Sequence, residues 1–66
     1  MNVAVNGHDL DLDDGTTLLA LIQQQAGSAR GSAVVVDGVV VPRRTWPEYA
    51  VRDGQHIELI TAVPGG

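Results

Sequence analysis

Apolar and polar residues alternate from the start of the chain. Val3 and Val5 fall on one side and Asn2, Ala4 and Asn6 on the other, which predicts a strand over residues 1–6 with one packed face and one wet face. Asn6-Gly7 follows, a pair that tolerates the positive φ of a type I′ turn, so the chain reverses. Leu10 and Leu12 then alternate with Asp9 and Asp11, giving a second, antiparallel strand over 8–12 with its carboxylates toward water.

Asp13-Asp14-Gly15 breaks this pattern, and Thr16 or Thr17 is suited to cap a helix. Leu18, Leu21, Ile22 and Gln25 fall at helical spacing and three of these four are apolar, a short amphipathic stripe with Gln23 and Gln24 on the wet side. Ala26-Gly27 supplies a helix end, because Gly accepts the left-handed conformation after the last turn. Residues 28–32 read as a small loop carrying Arg30 and Gly31. Residues 33–36 and 39–41 are β-branched runs on either side of Asp37-Gly38, the pattern of another hairpin. Pro42 stops its second arm, since it has no N–H for a ladder. Residues 43–49 read as irregular, with one helical turn near Pro47. Asp53-Gly54 is a turn, and 56–61 is the last strand, with Ile57 and Leu59 on one face and Glu58 on the other. Ile60 is apolar too, so this strand is expected to be covered on both faces, as a central strand would be.

A helix of this length cannot bury its stripe alone, so it must cross one face of the sheet. The expected fold is therefore α+β: a mixed sheet of four to five strands with one helix across one face, the first and last strands being parallel central neighbours. This is the β-grasp arrangement of ubiquitin-like domains. Residues 1–61 make the domain, and 62–66 a flexible tail ending in Gly-Gly.

Composition narrows the function. Sixty-six residues allow one small domain. A chain of that size buries only about 60% of the surface it exposes unfolded, which leaves little room for a catalytic pocket beside a core. With no Cys there is no disulfide, thiolate metal site or thiol nucleophile. Eight acidic residues against four Arg argue against nucleic acid and anionic membrane surfaces as partners. No apolar run approaches the roughly 18 residues of a spanning helix. The first residues resemble no secretion signal, so a cytoplasmic location is expected.

Local motifs add little catalytic chemistry. Asp9, Asp11, Asp13 and Asp14 resemble the start of a calcium loop, but the Gly falls one place late and Ala20 stands where a bidentate Glu belongs. A solvated strand face explains them. His8 and His56 lack metal-ligand spacing and read as surface or turn residues. Gly27 and Gly31 are followed by no Lys and form no phosphate loop. Arg43 and Arg44 make a small basic spot, suited to solubility or to docking on an acidic partner face. Trp46 and Tyr49 are suited to anchor an interface, but in a core without Phe they are expected to cover a sheet edge.

The tail is the informative part. Ala62, Val63, Pro64, Gly65 and Gly66 follow the last strand and span at most about 17 Å when extended. Pro64 holds Val63 extended. Gly65 and Gly66 carry no side chain, so they can enter a narrow channel and set a carboxylate against another enzyme's reactive centre.

Three segments resemble the ThiS sulfur carrier family of thiamine biosynthesis, sister to the MoaD carriers. These are Val5-Asn6-Gly7; Asp37-Gly38 through Val40-Val41-Pro42-Arg43 with Trp46; and Asp53-Gly54 with Ile57-Glu58-Leu59-Ile60-Thr61-Ala62-Val63 and Gly65-Gly66. Asp37 stands where Asn is common, Tyr49 where Thr is, Gln55 where Asp is, and Pro64 where Gln often sits. The resemblance implies that a ThiF-like adenylyltransferase uses ATP to adenylate the Gly66 carboxylate. A persulfide sulfur donor then displaces AMP and leaves a thiocarboxylate, which gives its sulfur to the thiazole on the synthase ThiG. The chain would be a cosubstrate and not an enzyme. It would bind no cofactor or metal itself, and would present Val63, Pro64, Gly65 and Gly66 to its partners. The alternatives are a MoaD-like carrier for molybdopterin, cysteine or siderophore synthesis, a ubiquitin-like protein modifier, and a non-covalent β-grasp interaction module.

Overall fold

A computed structural model describes residues 1–27 and 30–61. Its elements follow from the alternation. Strand β1 (Asn2–Val5) buries Val3 and Val5 and turns at Asn6-Gly7, whose φ values of 51° and 82° are those of a type I′ turn. Strand β2 (His8–Asp11) returns antiparallel, pairing Val3 with Leu10 and Asn2 with Asp11. Both strands are one residue shorter than expected at their open end, yet the Leu12 N–H still donates to the Met1 carbonyl at 2.7 Å. Helix α1 (Leu18–Ala26) starts at Thr17, whose hydroxyl accepts from the Ala20 N–H at 3.2 Å. It ends at Gly27, left-handed at φ 75°, whose N–H donates to the Gln23 carbonyl. Leu18, Leu21 and Ile22 are its buried stripe, while Gln25 is exposed.

Strand β3 (Ser32–Val36) buries Ser32, Val34 and Val36. Ser32 therefore opens the strand where a loop was expected, its pairing with Thr61 drawing it into the sheet. The Asp37-Gly38 turn leads to the two-residue strand β4 (Val39–Val40). Val41 leaves the strand and is buried, its N–H held by the Val34 carbonyl. Where one irregular helical turn was expected, a 3₁₀ helix runs over Arg43–Glu48 with Pro47 inside it. Strand β5 (His56–Thr61) completes a five-stranded sheet of order β2-β1-β5-β3-β4. It runs parallel to β1 and antiparallel to β3, so the mixed β-grasp sheet has its first and last strands at the centre.

Two expectations are corrected by packing. Ile60 is 56% exposed, because the helix covers one face of the sheet and the face that carries Ile60 has no cover among the described residues. Trp46 does not cover an edge. It is 1% exposed, packed in the same cluster as Leu18, Leu21 and Ile57, and its indole N–H donates to the buried Val41 carbonyl at 2.9 Å. The 3₁₀ helix packs against α1 and carries the ring inward. Tyr49 is half-buried against the core. No helix among the described residues is long and apolar enough to cross a membrane.

Candidate functional site

Strand β5 immediately precedes the expected tail, residues 62–66. Its start is fixed by the Asp53-Gly54 turn. The Asn2 N–H donates to Asp53 Oδ1 at 2.6 Å and the Gly54 N–H to the Asn2 carbonyl at 2.7 Å, which lays the turn against β1. Asp37 holds the same end from the other flank. Its Oδ1 accepts from the His56 N–H at 2.8 Å, and its own N–H donates to the His56 carbonyl at 2.8 Å. The exposed His56 ring lies 3.8 Å from the same carboxylate oxygen.

Toward the far end of β5, Asn6 takes over. Its main-chain N–H donates to the Ile57 carbonyl at 2.9 Å. Its side-chain Oδ1 accepts from the Leu59 N–H at 2.8 Å and its Nδ2 donates to the Leu59 carbonyl at 3.2 Å. Asn6, His8, Leu10, Gln25, Leu59 and Thr61 line a groove of about 450 Å³ between the end of α1 and the β1–β2 hairpin. Thr61, the last described residue of β5, stands at its margin.

The expected site residues divide sharply. Val63, Pro64, Gly65 and Gly66, with Ala62, lie outside the described residues. Arg43 and Arg44 are exposed on the first turn of the 3₁₀ helix, with the Arg43 guanidinium 5.7 Å from the centre of the Trp46 ring. That helix rests on α1, whereas β5 is flanked by β1 and β3, so the basic spot and the strand that carries the tail belong to different packing layers. His8 and His56 are exposed, as expected of surface positions. Asp11 and Asp14 sit 3.5 and 3.7 Å from the Met1 amino group, a solvated charge cluster. Two positions that depart from the family pattern meet each other: Gln55 Nε2 donates to the Tyr49 hydroxyl at 3.3 Å, while Gln55 Oε1 accepts from the Arg52 N–H at 2.8 Å.

Sequence reasoning missed the side chains of Asn6 and Asp37. Both were read only as turn formers. The available signal was that each opens a two-residue turn beside the strand that carries the tail.

Comparison with known proteins adds an independent line. The sequence model of the ThiS family matches residues 1–66. The sulfur carrier protein ThiS of Escherichia coli (strain K12) is 29% identical over 66 residues, a match that covers 100% of both chains. A thiazole synthase of Paramagnetospirillum magneticum is 27% identical over 66 residues, covering 100% of this chain and 20% of that protein. The crystal structure of a thiamine biosynthesis protein (ThiS) from Geobacter metallireducens is similar with a TM-score of 0.81 at 26% identity, over 100% of both chains. The solution structure of a thiamine biosynthesis protein from the same organism gives 0.77 at 25% identity, over 100% of this chain and 88% of that one.

Proposed function

Because the chain belongs to the ThiS family, whose sequence model spans residues 1–66, we propose that it is a sulfur carrier for thiamine biosynthesis with Gly66 as the loaded residue. The observation that carries this reading is the full-length match to the Escherichia coli sulfur carrier, which brings Gly66 within the aligned end of both chains. The β-grasp body leads its central strand directly into residues 62–66.

The chemistry asks little of the chain itself. The Gly66 carboxylate attacks the α-phosphorus of ATP on a ThiF-like adenylyltransferase, and pyrophosphate leaves. A persulfide sulfur then attacks the acyl-adenylate carbon and AMP leaves. A thiol reductant cleaves the resulting acyl disulfide, supplying two electrons and releasing the thiocarboxylate. That anion is soft and nucleophilic, so it transfers sulfur to an electrophilic sugar-derived intermediate. A segment similar to this chain within a protein named thiazole synthase supports a ThiG-type synthase as the acceptor. ATP is bound by the partner, and the chain acts as a cosubstrate. Val63, Pro64 and Gly65 present the end group, and Gly65 and Gly66 keep the channel they enter narrow. Arg43 and Arg44 offer an acidic partner a contact on an otherwise acidic chain.

Intact-mass measurement tests this directly. After incubation with ATP, adenylyltransferase, persulfide donor and thiol, the chain gains the mass of one oxygen-to-sulfur exchange, localised to Gly66. Gly66→Ala leaves the fold intact and strongly slows the exchange. Unchanged mass with a partner enzyme proven active on another carrier defeats the proposal.

A further inference from the structure

We infer that Asn6 is a positioning residue for sulfur loading: its side-chain carboxamide replaces a missing peptide group of β1 and holds the end of β5 from which the tail departs. The inference rests on the carrier reading above. The β1–β5 ladder is parallel, and its bonds step forward two residues at a time, from Ala4 N–H to the Gln55 carbonyl and from Asn6 N–H to the Ile57 carbonyl. A regular ladder would next use the Asn6 carbonyl for the Leu59 N–H, and the N–H of residue 8 for the Leu59 carbonyl. Neither is in place, because Asn6 is left-handed at φ 51° and the chain has turned back into β2. The Asn6 carboxamide makes both bonds instead, accepting at 2.8 Å and donating at 3.2 Å. These are the last hydrogen bonds on the β1 flank of β5 among the described residues. Past Leu59, Ile60 and Thr61 are paired with Ala33 and Ser32 of β3.

Turn formation alone does not explain this residue. Asp37 opens the other two-residue turn at nearly the same φ, 49°, so a carboxylate serves that conformation equally well. Asp37 needs only an acceptor for the His56 N–H. Asn6 must both accept and donate, which its carboxamide does and an acceptor-only carboxylate cannot. The two turns thus bind β5 at opposite ends, and only the one at Asn6 adjoins the tail.

A root already held extended has less freedom to lose when the tail enters a partner's channel. Cutting the Asn6 bonds leaves the last residues of β5 held from the β3 side, and the freedom they gain must be lost again on binding. That raises KM for the carrier about tenfold and leaves kcat unchanged, since the bound tail is the same. ATP–pyrophosphate exchange by the adenylyltransferase, with the carrier varied, measures both constants. Asn6→Gly keeps the turn and loses both bonds, so KM rises and exchange of the Leu59 amide hydrogen accelerates. Asn6→Asp keeps the turn but sets a carboxylate oxygen against the Leu59 carbonyl, and it raises KM as well. Asp37→Gly loosens the far end of β5 and leaves KM at the wild-type value. Wild-type KM in either folded Asn6 variant, or an equal rise in Asp37→Gly, overturns the assignment. Failure of the wild-type chain to support exchange counts instead against the carrier reading itself.

Discussion

Replacing Trp46 by Phe tests how this small core is closed. The ring is 1% exposed and its N–H donates to the buried Val41 carbonyl at 2.9 Å. Phe keeps an aromatic face under Arg43 but removes that donor. A buried carbonyl left unpaired costs about 1–3 kcal/mol. The smaller ring also leaves a void, adding about 1 kcal/mol where the walls cannot close. The expected loss is roughly 2–4 kcal/mol, against roughly 3–10 kcal/mol for a domain of this size. At about 4–8 °C per kcal/mol, Tm falls by at least about 8 °C. Trp46 is the sole Trp, so unfolding in urea is followed by far-UV circular dichroism, with an unchanged m-value showing that the denatured state is unaffected. A loss below about 0.5 kcal/mol, the range of ordinary surface substitutions, refutes the central position of the ring and restores the edge-cover expectation.

Three further outcomes are expected. Thr17→Ala removes the acceptor for the Ala20 N–H and costs about 1 kcal/mol in the same urea assay. Ile60→Thr stays within about 0.5 kcal/mol of the parent, since the residue is already 56% exposed; a loss near that of a core Ile would mean that the outer face is covered. A double-mutant cycle on Tyr49→Thr and Gln55→Asp, which installs both common family residues, gives a coupling of about 0.5–1 kcal/mol from the lost 3.3 Å hydrogen bond, and strict additivity would contradict that contact.

Which features were legible follows from how local their causes are. The two type I′ turns, the Thr17 cap and the Gly27 stop each depend on a few adjacent residues, and each stands where the sequence predicts it. The parallel pairing of the first and last strands followed from layer logic applied to the element order. Ile60 misled because centrality in a sheet was equated with burial on both faces. One short helix gives one covering layer, so a strand can be central and still wet on the far side. Trp46 misled for the opposite reason. Arg43, Arg44, Thr45 and Glu48 make its neighbourhood look like surface, and in 3₁₀ geometry a single side chain can turn inward from a polar segment. Asn6 and Asp37 were found as turn residues but not as partners of β5, because a side-chain bond to a strand 53 or 19 residues away leaves no periodic trace. The expected Gly65-Gly66 site lies outside the described residues.

The exposure of Ile60 and the side-chain bonds of Asn6 and Asp37 are parts of one arrangement. A central strand must be held firmly, and in larger domains packing on both faces does this. Among the described residues only one face of the sheet is packed, so lateral hydrogen bonds supply the rest. β1 and β3 provide them along the middle of β5, and where each neighbour turns away, the first residue of its turn provides one or two more. The outer face is thereby relieved of a structural task. Ile60, together with Val40 at 69% exposure, can stay in water at little cost to stability, and substitutions there alter the fold far less than their place in the sheet suggests. The surface around Ile60 can therefore change while the hydrogen bonds that Asn6 and Asp37 make to β5 stay the same.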